Sequence, residues 1–180
     1  MIVKYHCKEY LLERGTPGAS GYDLKCTRSS ERVINPGERW LMPTGVHLEM
    51  PRGVEAQVRS RSGLSLTYGV VVLNAPGTID SDFRGEVMVM LINHGRSPHT
   101  VLPGDRIAQL VFAHVLTDAT NPPPMQNVHG EKVLGNLGPT HTTVVTPDWS
   151  WPGFHLVPVP LLSDLGDTQR GSGGHGSTGR

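Results

Sequence analysis

Residues Val54 to Ser60 read VEAQVRS. Val54, Ala56 and Val58 alternate with Glu55, Gln57 and Arg59, a period of two that sends the two sets to opposite faces of a strand. Other strand-like stretches follow: GVVVLN (Gly69 to Asn74), EVMVMLIN (Glu86 to Asn93), RIAQLVFAHV (Arg106 to Val115) and HLVPVPLL (His155 to Leu162). Turn signals lie between or before them: NPGE at Asn35 to Glu38, PTG at Pro43 to Gly45, PRG at Pro51 to Gly53 and LPGD at Leu102 to Asp105. Many short strands at this spacing predict an all-β sandwich or barrel. No segment sustains a 3.6-residue apolar period. One short helix is expected over Gly63 to Tyr68, with the Ser62 hydroxyl as its N-cap.

The chain has 180 residues, enough for one domain with a real core or a domain with an extension. Sixteen basic residues balance sixteen acidic ones. That argues against a non-specific nucleic-acid binder, which carries a basic excess, but not against a small anion held by a few placed cations. Cys7 and Cys26 form no CxxC, so a disulfide framework is not expected and a reduced, cytoplasmic setting is the default. No apolar run approaches the length of a membrane span. The stretch MIVKYHCKEYLLERG lacks the apolar region of a signal peptide.

Composition shifts after Val115. The stretch from about Asp118 to Gly153 holds PPP, GNLGPTHTT and DWSWPG. It is longer than an ordinary loop, which seldom exceeds about 12–15 residues. It reads as an insertion, 118–153, in a β domain. Either it is a proline-stiffened loop folded against the barrel, or Trp149, Trp151 and Phe154 mark an arm that binds a protein partner. The chain closes on RGSGGHGSTGR, in which five of eleven residues are glycine. Such a tail is either a flexible linker or a phosphate cradle, built from close backbone N–H groups, hydroxyls and an arginine fork.

Four internal motifs carry polar chemistry. GTIDSDFRGEV (Gly77 to Val87) is a hairpin with Asp80 at its lip, either a turn cap or a base that orients water. RSRSGL (Arg59 to Leu64) sets Arg61 and Ser62 before Gly63 at a helix start, either an anion site or a simple cap beside a solvated arginine. GASGYDL (Gly18 to Leu24) puts Asp23 at the start of a strand. GDRIAQL (Gly104 to Leu110) puts Gln109 among core residues, facing inward or toward a neighbour.

In this order and register, GASGYDL, RSRSGL, GTIDSDFRGE, GDRIAQL and RGSGGHGSTG resemble the five ordered motifs of the trimeric dUTPase family. The resemblance covers about 1–117 and the tail from about 155. The wording NAPGTID and GGHG is most similar to the actinobacterial or mycobacterial branch, or its phages. The resemblance implies a jelly-roll-like β-barrel (1–117 and 154–169), the 118–153 insertion, and a nucleotide-closing tail, 170–180. It also implies a homotrimer whose active sites are shared between subunits. Hydrolysis of dUTP to dUMP and pyrophosphate by water attack on the α-phosphorus, with Mg²⁺, follows from it.

Carried onto this chain, the resemblance makes Asp80 the catalytic base. Asn74 and the backbone through Gly77, Thr78 and Ile79 would read uracil. Phe83, where the family usually has Tyr, would lie under the deoxyribose and exclude a 2′-hydroxyl. Arg61, Ser62, Gly63 and Gln109 would bind phosphates, and Asp23 would hold hydrated Mg²⁺ through water. In the tail, Arg170 would pair with the γ-phosphate, while Gly174, Gly176, Ser177 and Thr178 complete the cradle. His175 would stack on uracil where many relatives have Phe. Ordering eleven residues costs on the order of 10–20 kcal/mol, and each charge-assisted hydrogen bond returns about 1.5–3 kcal/mol, so the tail is expected to close only on nucleotide. Two rivals stand beside this reading. One is a regulatory protein of the same family acting through the insertion. The other is dCTP deaminase, whose catalytic Glu position, counted from Gly85, is here Met90.

Overall fold

The alternation predicted at Val54 to Ser60 becomes a strand whose Val54, Ala56 and Val58 are buried while Glu55 and Gln57 are half-exposed. In the computed structural model, which describes residues 2–115, 125–126, 132–133 and 155–168, the strands are β1 (Ile2–His6), β2 (Tyr22–Lys25), β3 (Arg32–Ile34), β4 (Arg39–Met42), β5 (His47–Glu49), β6 (Val54–Arg59), β7 (Val70–Val72), β8 (Gly77–Ile79), β9 (Val89–Asn93), β10 (His99–Val101), β11 (Arg106–His114), β12 (Met125–Gln126), β13 (Lys132–Val133) and β14 (His155–Pro158). One α-helix, α1 (Ser62–Tyr68), lies between β6 and β7. The architecture is all-β, as the short strands and turn signals predict.

The strands form sheets ordered β2-β11-β6-β8, β4-β9-β7, β14-β1-β5, β10-β3 and β12-β13. β11 lies between β2 and β6 and pairs antiparallel with both. β14 runs parallel to β1, with Val3 opposite Leu156. Leu24, Ile34, Met42, Leu48, Leu91, Ile107 and Leu110 are fully enclosed and meet in one core. Burying side chains of this size contributes about 1.5–3 kcal/mol each. Gly37 and Gly104 complete the predicted NPGE and LPGD turns with φ of 78° and 83°, values that only glycine adopts without strain.

Two expectations are corrected. Ser62 is not the N-cap: it is the first helical residue, Arg61 takes the cap position, and no side chain closes that end. The strand expected from Glu86 begins instead at Val89. The alternation of buried and half-buried side chains continues through Glu86, but this stretch is tied to the run 44–46 instead of the sheet: the Glu86 carboxylate accepts from the amides of Thr44 (2.9 Å) and Gly45 (2.7 Å), and Val87 N donates to Val46 O (2.7 Å). The aromatics Trp149, Trp151 and Phe154 lie outside the described residues.

α1 buries no side chain of its own. It is held at its C-terminal end, where Gly69 O accepts from His94 N (2.9 Å) and Tyr68 stacks on His99 with ring centroids 4.5 Å apart. A cavity of about 260 Å³ under the helix is lined by Leu64, Val70, Leu91, Ile107, His99 and Asp105, among others. Burial pushes the His99 imidazole below its ordinary value, and Asp105 opposes that only in part. The unfolded chain therefore binds the proton more readily, so stability rises with pH through this window and falls as pH drops below about 6.5. Thermal unfolding between pH 7.5 and 5.5 should show a steeper loss in the wild type than in His99→Asn. Parallel profiles would contradict it.

Candidate active site

Register in the four-stranded sheet brings three distant segments together. Asp23 on β2 stands opposite Gln109 on β11, which stands opposite Arg59 at the end of β6. The chain leaving β6 carries Ser60, Arg61 and Ser62 into α1. Asp23 Oδ1 lies 3.4 Å from Arg61 Nε, and Asp23 Oδ2 lies 3.2 Å from Arg106 Nη1. Arg61 also donates from Nη1 to the carbonyl of Arg106 (2.8 Å). The pairs are partly solvated, so they contribute more to orientation than to stability. Two guanidiniums against one carboxylate leave a local excess of positive charge beside the exposed Ser62 and Gly63, an arrangement suited to an anion.

Gln109 is half-buried, and its Nε2 donates to Ser60 O (2.9 Å). Ser60 Oγ in turn accepts from Val72 N (2.9 Å), which ties the start of the α1 loop to β7. The glycine of GASGYDL has a steric reason. A Cβ on Gly21 would lie 2.3 Å from Gln109 Oε1 and 3.1 Å from its Cβ.

The second group sits on the connection from β7 to β8, which passes between sheets, since β7 pairs with β9 and β8 with β6. The hairpin expected over Gly77 to Val87 does not form, because β8 finds its partner in β6 and the chain turns after Asp80 without a returning strand before β9. Ala75 N donates to Val72 O, the Ala75–Pro76 bond is cis, and β8 pairs with β6 through Gly77–Val58, Thr78–Gln57 and Ile79–Ala56. Gly77 is buried, with the Asn74 amide 3.1 Å from where its Cβ would be. Asn74 thus folds over Gly77 at the start of β8, in a connection whose other residues are exposed. Asp80 is exposed just beyond β8, and Phe83 N donates to Asp80 O (3.1 Å), closing a turn. Phe83 is 7% exposed, so its ring shows little open face in the single chain.

The two groups occupy opposite corners of the sheet. Asp80 follows Ile79, opposite Ala56, which stands opposite Phe112; Asp23 stands opposite Gln109. They are four residues apart along the strands and three strand spacings apart across them, a span of about 20 Å. Arg170, Gly174, His175, Gly176, Ser177 and Thr178 lie outside the described residues. Two residues that carry the arrangement went unread in the sequence. Arg106 sits inside GDRIAQL, but its partner Asp23 is 83 positions away. Arg84 sits inside FRGEV, and its guanidinium contacts are to backbone carbonyls that leave no sequence signature.

Among the described residues, no three His, Cys, Asp or Glu side chains gather as a metal site, and no helix is long and apolar enough to cross a membrane. Cys7 and Cys26 are both free thiols.

A β-barrel with a cationic corner at one end of a sheet and a carboxylate-bearing turn at the other defines the class, an anion-binding all-β domain. The dUTPase family model matches residues 8–143. The chain belongs to the dUTPase family. It is 45% identical over 166 residues to the deoxyuridine 5′-triphosphate nucleotidohydrolase of Anaeromyxobacter sp., covering 92% of this chain and 84% of that protein. It is 51% identical over 117 residues to the Chlamydia muridarum protein of the same name, covering 63% of this chain and 81% of that one. The dUTPase structure from Streptococcus mutans is similar with a TM-score of 0.55 and 31% identity, over 61% of this chain and 89% of that one. These relatives come from outside the actinobacteria, and the family match runs into the segment read as an insertion.

Replacing Gly21 by Ala is expected to force the Gln109 amide off Ser60 O and lower stability by about 1–3 kcal/mol, the cost of a lost partly buried hydrogen bond. Denaturant unfolding reads this directly. An unchanged midpoint would mean that Gln109 relocates at no cost.

Proposed function

We propose that the chain hydrolyses dUTP to dUMP and pyrophosphate at sites shared between subunits of a homotrimer. The observation that carries the shared site is the span of about 20 Å between Asp80 and Asp23 along one sheet. Reacting atoms must approach within about 3–3.5 Å, and a magnesium ion sits about 2.0–2.1 Å from its oxygens. A base at the α-phosphorus and a carboxylate serving the same triphosphate therefore stand far closer than that, so the two come from different copies.

A surface for those copies is present. On the β4-β9-β7 sheet, Leu41, Met90, Ile92, Val71 and Leu73 lie on the side turned away from the core. Strands apolar on both faces are typical of sheets covered on both. Met90 belongs to this outer face. A thioether cannot move a proton, so the deaminase reading has no base here, and nothing among the described residues favours the regulatory alternative.

In this reading Asp80 orients and deprotonates the attacking water. Asn74 and the backbone of Gly77, Thr78 and Ile79 pair with the uracil edge, in a pocket that excludes a 5-methyl group. Phe83 lies beneath the deoxyribose, which requires the ring to present a face it keeps covered in the single chain. Arg61, Ser62, Gly63 and Gln109 take the phosphates, and the Gln109–Ser60 bond sets their spacing. Mg²⁺ bound with the triphosphate supplies neutralisation of phosphate charge. The donor set fits an ion that keeps its waters, since Asp23 is one carboxylate suited to accept from a metal-bound water. From the tail, Arg170 meets the γ-phosphate, Gly174, Gly176 and Ser177 supply amides and a hydroxyl, and His175 covers the base.

The domain reading counts 1–117 and 154–169 as barrel, supported by the pairing of β14 with β1. It counts 118–153 as an insertion and 170–180 as the closing tail. The NAPGTID and GGHG wording supports an actinobacterial or mycobacterial kinship, and the free cysteines support a cytoplasmic setting.

Pyrophosphate release should be fast from dUTP with Mg²⁺ and negligible from dCTP, dTTP and UTP. Asp80→Asn should lower the rate by about 10²–10⁴-fold, the usual contribution of a positioned base. A folded wild type that leaves dUTP intact would refute the reading.

A further inference from the structure

β1 and β5 set two imidazoles side by side. His6 stands directly opposite His47 in their antiparallel pairing, with ring centroids 6.3 Å apart and planes at 46°. Both rings are half-buried, on the side of the sheet turned away from the buried Tyr5 and Leu48. Lys4 and Glu49, two residues along on that side, form the neighbouring cross-strand pair.

Each ring is tied by the same nitrogen. His6 Nδ1 donates to Val159 O (3.1 Å), and His47 Nδ1 donates to Arg84 O (3.0 Å). A carbonyl can only accept, so the proton sits on Nδ1 in both rings and the lone pair of the neutral imidazole sits on Nε2. Metal-binding histidines share this arrangement: a bond at one nitrogen orients the ring and leaves the other to the ion. Among the described residues, neither Nε2 has a hydrogen-bond partner.

The two ties pull in opposite directions. Val159 follows β14, on one side of β1, and its N–H donates to Tyr5 O (2.8 Å). Tyr5 therefore turns its backbone groups toward β14, and Leu48, its opposite number, turns its carbonyl away from β1. Arg84 Nη1 reaches that carbonyl (3.3 Å), and Val87 N donates to Val46 O (2.7 Å), so the Arg84 segment runs along the outer edge of β5. The two nitrogens of an imidazole lie on opposite sides of its Cβ–Cγ axis. With one Nδ1 drawn toward β14 and the other toward Arg84, both Nε2 atoms turn inward, over the gap between β1 and β5.

We infer that His6 and His47 form a two-nitrogen site for one borderline divalent transition-metal ion, of the Zn²⁺ class, which staples β1 to β5. Imidazole donors select such an ion over Mg²⁺, which prefers oxygen. With Zn–N bonds of about 2.0–2.1 Å in a tetrahedral site, the ring centres stand about 5 Å apart, so the rings close by roughly 1 Å. The broad χ2 torsion of histidine supplies that movement. The Glu49 carboxylate is engaged by Lys4 and Gly166, so water fills the remaining positions. The site lies on the β14-β1-β5 sheet, whereas Asp23 lies on the β2-β11-β6-β8 sheet, and it requires no part of the dUTP-hydrolase reading.

The test is a Zn²⁺ titration of the intact, nucleotide-free chain, followed by nitrogen NMR of the histidine rings. Before metal is added, His6 and His47 should carry the proton on Nδ1, the minor form in free histidine. At sub-millimolar Zn²⁺ their Nε2 signals should move together and saturate at one ion per chain, while Mg²⁺ moves neither. His6→Ala or His47→Ala should weaken the binding by at least about tenfold, because the second imidazole of a pair binds at high effective concentration. Cys7→Ser should leave it unchanged. Zn²⁺ should raise the melting temperature of the wild type but of neither histidine variant, since the ion binds only the folded pair. Rings that carry the proton on Nε2, or Nε2 signals that stay in place while Zn²⁺ binds elsewhere, would overturn the site. Binding that survives the loss of either histidine would do the same. The NMR readout uses the wild type, so it decides the matter even where a variant fails to fold.

Discussion

The register in which β11 pairs with β2 on one side and β6 on the other, with one bulge, is the constraint on which the rest depends. That register buries Ile107, Ala108 and Leu110 and sets Gln109 between Asp23 and Arg59. A slip of one residue would turn each of these side chains to the opposite face. The core and the cationic corner would be lost together. A bulge between Arg106 and Ala108 keeps both requirements. The extra residue lets Arg106 turn toward Asp23 while Ile107 and Ala108 both stay buried.

The same sheet separates what the chemistry needs to unite. β8 joins β6 at the edge away from β2, so Asp80 and Asp23 lie at opposite corners of one rigid surface. Flexing cannot close that distance in a hydrogen-bonded sheet with a packed core. Assembly with other copies can. The apolar outer face of β4, β9 and β7 offers the contact, and cyclic symmetry would then create equivalent composite sites from one interface. Stability and function thus come from the same decision, a rigid sheet that carries two half-sites.

Much of the fold is legible because it is local. Alternation over Val54 to Arg59 and turns such as NPGE and LPGD depend on neighbours in sequence, and both appear where the periodicity and the Gly/Pro punctuation put them. The motifs also mark residues that the fold brings together: Asp23 meets Arg61 and stands opposite Gln109, and Asn74 folds over Gly77. What sequence could not supply is pairing at long range. Arg106 finds Asp23 across 83 positions, and Arg84 spans 82 to reach Gly166. The partner of Arg84 is a backbone carbonyl, identical in every residue, so no pattern announces it. The N-cap failed for the opposite reason. Ser62 has the right chemistry, but the chain leaves β6 with Arg61 extended (φ −91°, ψ 127°), and the helix starts one residue early.

The most direct test of the shared-site account is complementation between two inactive variants. Asp80→Asn lacks the base, and Arg61→Gln lacks a phosphate contact at the other corner of the sheet. Unfolded together in equal amounts, refolded and assayed for pyrophosphate release from dUTP, they should recover about a quarter of the wild-type sites by random assortment in a closed trimer. Mixed assemblies that form but remain as inactive as either variant alone would mean that each subunit holds its own complete site, and the account built on the span of the sheet would fall.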